Sequence, residues 1–116
     1  MNKRITRNLP TIRKLRRMPE KSRKSFVKNC SPDFINCICE CSKNLLKGNI
    51  PVTPVQLKKL RRHKKALHTL STKKASLKTR RQLLQRGGFL PLIIAPILGL
   101  VSSLVAGAIN RKLDRQ

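Results

Sequence analysis

Apolar residues recur along this chain at three- and four-residue steps, and the punctuation between the runs is that of helices. Ile5, Leu9, Ile12 and Leu15 form a narrow stripe surrounded by arginine and lysine, which predicts a first short helix ending near Met18 and Pro19. Pro19 can open a second helix reaching about Asn29, with Phe26 and Val27 as its apolar contribution. Ser31, Pro32 and Asp33 then supply an N-cap, a proline at the first helical position and an acidic first turn, and Gly48 stops the third helix after Lys47. Phe34, Ile35, Cys37, Ile38, Cys41, Leu45 and Leu46 make this the least basic element, so it is expected to be the hub against which basic helices pack.

Residues 49–52 read as an extended connection, after which Thr53 and Pro54 repeat the cap-and-proline signal. A fourth helix is expected from there to about Leu70, with Leu57, Leu60, Leu67 and Leu70 near one face and Lys64 interrupting them. Ser71 and Thr72 mark a break or kink before a fifth segment, residues 73–86, which carries Leu77 and Leu84 and ends at Gly87 and Gly88. The expected fold class is all-α: a small bundle of short basic helices followed by one hydrophobic, proline-kinked C-terminal helix. The corresponding divisions are a basic N-terminal segment (1–30), a helical core with basic helices (31–87), a hydrophobic membrane-type segment (88–110) and a basic tail (111–116).

Residues 89–109 contain no charge at all. As a helix rising 1.5 Å per residue this run would extend about 32 Å, against roughly 30 Å for a hydrocarbon core. The alternative is a buried core helix, but the basic body promises too little apolar surface to cover a segment that is hydrophobic all round. Phe89, Leu90, Leu92, Ile93, Ile94, Ile97, Leu98, Leu100, Val101, Leu104, Val105 and Ile109 are therefore the candidate membrane-contacting residues. Pro91 falls harmlessly in the first turn, whereas Pro96 is expected to kink the helix or divide it. Ala95, Gly99, Ser103 and Gly107 form a small-residue ridge, a candidate surface for self-association. Arg111, Lys112 and Arg115 follow, and the charge balance favours the N-terminal body on the cytoplasmic side.

Charge changes the picture of the body. The 116 residues include 28 Lys and Arg against 4 Asp and Glu, a net charge of +24. Such an excess opposes compaction unless a polyanion neutralises it, and nucleic acid or an anionic membrane would do so. At one charge per roughly 1.7 Å of duplex, full neutralisation would cover about 41 Å of DNA. With no Trp or Tyr and only Phe26, Phe34 and Phe89, base stacking has little to work with, so backbone binding without sequence readout is expected. Candidate phosphate ligands are Arg13, Lys14, Arg16, Arg17, Lys58, Lys59, Arg61, Arg62, Lys64, Lys65, Lys73, Lys74, Arg80 and Arg81. The clusters at 13–17 and 58–65 also fit nuclear import signals, and residues 1–17 never reach the apolar run of a secretory signal.

Other chemistry finds less support. Cys30, Cys37, Cys39 and Cys41 lie close together with His63 and His68 downstream, yet alternate positions inside a helix do not match a zinc-binding turn. Buried small apolar residues are the main expectation, with metal ligation and disulfides as alternatives. Cys37 and Cys41 should share a face from which Cys39 points away, and His63 and His68 should be surface residues. Glu20, Asp33, Glu40 and Asp114 are not paired at a catalytic spacing, and no phosphate loop or nucleophile motif occurs. No enzymatic activity and no cofactor are expected.

The run Arg86-Gly87-Gly88-Phe89-Leu90-Pro91-Leu92-Ile93-Ile94 resembles the small basic core protein X (mu precursor) family of adenoviruses, in which a Lys/Arg-rich body meets a Gly-Gly followed by an apolar tail. A longer pattern is similar to small basic proteins of adintoviruses and Polinton (Maverick) elements. It includes Asn44-Leu45-Leu46-Lys47-Gly48-Asn49-Ile50-Pro51 and His63-Lys64-Lys65-Ala66-Leu67. The resemblance implies a virion component, found in particles and the host nucleus, that condenses double-stranded DNA beside capsid proteins and carries a membrane-active or capsid-anchoring tail. It also implies a candidate maturation cleavage between Gly88 and Phe89, although Gln85 stands where that family's cleavage pattern has an aliphatic residue. A cationic protein of a host membrane, contacting anionic lipid or a cytoplasmic partner, is the alternative from the residues alone.

Overall fold

The computed structural model describes residues 3–72, 74–86 and 89–101. Among them are seven helices and no strand: α1 (Lys3–Arg17), α2 (Glu20–Asn29), α3 (Pro32–Leu46), α4 (Pro54–Arg62), α5 (Lys64–Ser71), α6 (Leu77–Leu84) and α7 (Phe89–Val101).

Local signals set the starts and stops. Ser31 Oγ accepts the Phe34 N–H at 3.2 Å ahead of Pro32, and Ser76 Oγ accepts the Thr79 N–H at 3.1 Å. Thr53 and Gln56 form a reciprocal capping box, with Gln56 N–H donating to Thr53 Oγ1 and Thr53 N–H to Gln56 Oε1. At the end of α3, Gly48 takes φ 76°, its N–H donates to the Leu45 carbonyl, and the Asn49 N–H donates to the Asn44 carbonyl. That paired closure satisfies carbonyls the helix leaves open and needs the left-handed conformation that glycine adopts most easily.

α3 is the hub, as its composition predicts. It packs against α1, α5, α6 and α7, and Phe34, Ile35, Cys37, Ile38, Cys39, Cys41, Leu45 and Leu46 are all buried. Cys39 does point away from Cys37 and Cys41, but into a second packed face, because α3 is surrounded by other helices. Even Ser42 is buried, its hydroxyl donating to the Ile38 carbonyl one turn back.

The expected helix from Pro54 to Leu70 is two. The His63 N–H bonds back to the Leu60 carbonyl at 3.0 Å, the backbone leaves helical geometry at φ −111° and ψ 21°, and α5 begins at Lys64. The break has a packing reason. α4, with Leu57 and Leu60 buried, packs on α7, whereas α5, with Leu67 and Leu70 buried, packs on α3. One straight helix cannot present the same stripe to both. The expected fifth segment is likewise shorter, since the Ser76 cap delays α6 to Leu77.

The largest correction concerns the uncharged segment. The body does have surface to cover α7, which packs against α1, α3, α4 and α6. Phe89, Leu90, Ile93, Ile94, Ile97 and Leu98 are buried in the common core, and Leu92 and Leu100 pack half-buried at its edge. Each fully buried aliphatic or aromatic side chain contributes roughly 1.5–3 kcal/mol, so this docking is a principal source of stability. Pro96 lies within α7, which continues past it as one helix. Among the described residues no single helix is long and apolar enough to cross a membrane. Only α6 taken together with residues 89–100, bent by 85° between them, meets that length and composition.

Candidate nucleic-acid interface

Burial of one stripe on each amphipathic helix leaves the charged positions on the other side. On α1, Ile5, Ile12 and Leu15 face the core, and Arg13, Lys14, Arg16 and Arg17 are exposed. On α4 the same division exposes Lys58, Lys59 and Arg62; Arg61 is half-buried. Lys65 is exposed on α5 and Lys64 half-buried; Lys74 is exposed in the connection to α6, and Lys73 lies outside the described residues. These side chains can engage backbone phosphates without reading bases.

Arg80 and Arg81 do not belong to that surface. Arg80 Nη1 donates to Asn36 Oδ1 at 2.8 Å and to Cys39 Sγ at 3.4 Å, tying α6 to α3. Arg81 Nη1 donates to the Val27 carbonyl at 2.8 Å and reaches the Lys28 carbonyl and Cys30 Sγ. Those carbonyls lie in the last turn of α2, where no intrahelical donor is available, so Arg81 caps the C-terminal end of a neighbouring helix. Gln85 Nε2 adds a bond to the Lys24 carbonyl. α6 carries few buried apolar side chains, and hydrogen-bonding arginines complete its docking.

Other cations are neutralised internally. Asp33, at the start of α3, accepts from Arg7 Nη2 at 2.8 Å and Asn8 Nδ2 at 3.2 Å, with Arg4 Nε at 3.4 Å. Arg7, then Asn8, by hydrogen bonding hold its carboxyl below the usual range. Glu20 pairs with Lys24 one turn later at 3.6 Å. Asp114 lies outside the described residues.

The cysteines are core residues and free thiols. Burial pushes Cys30 and Cys39 up, against the opposing influence of Arg81 and Arg80. Cys37 and Cys41 hydrogen-bond one turn apart; that bond lowers Cys37, while the same bond and burial drive Cys41 far up, so Cys41 keeps its proton. Among the described residues no three His, Cys, Asp or Glu side chains converge where a metal ion could be held.

The aromatic residues are also engaged inside. Phe26 and Phe34 meet edge to face at 5.3 Å, and Phe89 meets His63 edge to face at 5.5 Å. Phe89 is thus buried beside the Gly-Gly junction; Gly87 and Gly88, including the Gly88 side of the candidate cleavage bond, lie outside the described residues. Ala95 and Gly99 of the small-residue ridge are half-buried on α7. Ser103, Gly107, Leu104, Val105 and Ile109 lie outside the described residues, as does the side chain of Val101.

One concavity was not legible in the sequence. At the elbow between α4 and α5 a cavity of about 490 Å³ is lined by Arg61, Arg62, His63, Lys64, Lys65 and Arg86, with Ala66. The fold brings Arg86 to a cluster more than twenty positions earlier, and no spacing rule announces that meeting. Comparison of the chain with family models, curated proteins and solved structures finds no match.

Proposed function

We propose that this chain is a structural virion protein that binds and condenses double-stranded DNA without sequence specificity, acting in the particle and in the host nucleus. The observation that carries the reading is the placement of its charge. A chain of net charge +24 folds a shared apolar core and leaves Arg13, Lys14, Arg16, Arg17, Lys58, Lys59, Arg62 and Lys65 exposed around it. Supporting it further, the aromatic side chains that would stack on bases are packed against one another or against the core. α7 contributes to the folded body, and the chain after it is the candidate for capsid anchoring or membrane contact.

The test is binding of the full chain to two unrelated duplexes across a salt series. Similar affinities for both are expected, with a loss of about 10³–10⁵ between 50 and 200 mM salt if 6–10 phosphates are contacted. Failure to bind duplex at low salt would sink the reading. The uncharged run 89–109 favours a second reading, insertion into anionic membranes, which requires α7 to leave the core. Liposome flotation that persists at high salt, with α7 becoming accessible to proteolysis, is its expected signature.

A further inference from the structure

We propose that the docking of α7 is coupled to charge neutralisation: bound duplex DNA holds α7 in the core, and the DNA-free chain in dilute salt releases it. This rests on the DNA reading and deepens it, because the bound polyanion gains a second effect, on the folded body itself.

α7 carries no charge and packs among four helices, α1, α3, α4 and α6. Three of these walls are cationic throughout. α1 holds seven Lys and Arg, α4 four and α6 three, and none of them contains an Asp or Glu. α3 is the exception, with Asp33 and Glu40 against Lys43, and its Asp33 answers Arg4 and Arg7 at the start of α1. Farther along the walls Lys14, Arg17, Lys58, Lys59 and Lys78 are exposed. Arg80 and Arg81 hold α6 through an amide oxygen, a backbone carbonyl and thiol sulfurs, which satisfies their donors and leaves their charge in place. The cleft around α7 is thus closed by apolar contact between helices that repel one another.

Packed helices stand about 8–10 Å apart, so walls on either side of α7 are separated by no more than about 20 Å. The screening length is about 30 Å at 0.01 M salt and about 10 Å at 0.1 M, so the repulsion spans the cleft in dilute salt and fades as salt rises. Burial of Phe89, Leu90, Ile93, Ile94, Ile97 and Leu98 opposes it. A ligand shifts such a balance only by preferring one state. Duplex DNA has that preference, because neutralisation removes most repulsion where the walls stand closest. By reciprocity, exposure of α7 weakens the hold on DNA. The released helix, hydrophobic all round, has lipid as its alternative to the core.

In the test, chymotrypsin cuts within residues 89–101 of the full chain are followed by mass spectrometry in about 10 mM salt. A duplex spanning about 41 Å, the length one chain neutralises, is expected to slow those cuts at least about fivefold. Raising sodium chloride to about 300 mM without DNA is expected to slow them as well, since it screens the walls without covering the chain. Lys14→Gln/Lys58→Gln/Lys59→Gln relaxes the walls, and Lys21→Gln/Lys28→Gln/Lys74→Gln removes the same charge from exposed positions on α2 and before α6. The wall variant is expected to slow the DNA-free cuts at least about twice as much as the second variant. Vesicles of phosphatidylcholine, which bear no net charge and do not compete with DNA for the cations, are expected to capture the DNA-free chain and to lose it when duplex is added first. Four outcomes overturn the coupling: cuts that duplex does not slow, protection by duplex without protection by salt, equal effects of the two variants, or vesicle capture that duplex leaves unchanged. In each, duplex affinity and with it the proposed function still stand; absence of duplex binding overturns both.

Discussion

Arg16-Arg17 at the end of α1 and Arg80-Arg81 in α6 are the same dipeptide in two short basic helices, and they face opposite ways. The first pair is exposed; the second donates inward to Asn36, to α2 carbonyls and to cysteine sulfurs. α1 docks through a full stripe of Ile5, Ile12 and Leu15, so its arginines are left over for solvent. α6 has only Leu83 and Leu84 fully buried, and its arginines become part of the attachment. Arginine on a cationic protein is therefore not one kind of residue, and its role follows from how much apolar surface its helix brings.

The comparison can be broken most strongly at the core that gives α6 something to dock on. Ile93→Ala, in the middle of the buried face of α7, is expected to cost ~2–5 kcal/mol in denaturant unfolding. A stability change under about 0.5 kcal/mol, the range of a surface substitution, would mean that α7 is not part of the folded body. Next in size, Arg81→Ala is expected to lower stability by ~1.5–3 kcal/mol, because it leaves α2 carbonyls without their charged donor, while duplex affinity changes little. The outcome that contradicts the division is the reverse: unchanged stability and weakened DNA binding.

Arg17→Ala sharpens the other half. Stability is expected to stay within about 0.5 kcal/mol of the parent, and the salt dependence of duplex binding to become shallower by about 0.9 in log–log slope. An unaltered slope with lower stability would place Arg17 with the inward arginines. The smallest effect belongs to the third kind, Arg4 and Arg7, which face an acid. Asp33 is held below its unfolded pKa of about 3.9, so its contribution is present above that pH and lost as pH falls through the folded value. Asp33→Asn is expected to flatten the acid limb of stability: the small loss falls in the neutral region and vanishes as pH drops through the folded value, where parent and variant converge. Equal acid limbs in parent and variant would show that the cluster is not coupled to folding.

Much of the fold was legible because its signals are local. Ser31 and Thr53 cap helices through bonds to residues three positions on, Gly48 closes α3 within six residues, and the apolar content of α3 marks the hub. The break at His63 was not legible, because Leu57 and Leu60 have a different partner from Leu67 and Leu70, and no periodicity names a partner. The exposed cations of α1 and α4 follow from periodicity; the inward turn of Arg80 and Arg81 depends on acceptors 41 to 54 positions away.

The uncharged run shows where the boundary falls. A segment that is hydrophobic all round must leave water, and that much the sequence determined by itself, together with the all-helical class, the main caps and the excess of positive charge. Whether the segment enters lipid or a protein core depends on what apolar surface other helices assemble. Tertiary structure decided that for the described part of α7, because the narrow stripes of α1, α4 and α6 combine with the broad apolar surface of α3 into a cleft that covers it. The same assembly decided which arginines remain at the surface and which close the bundle.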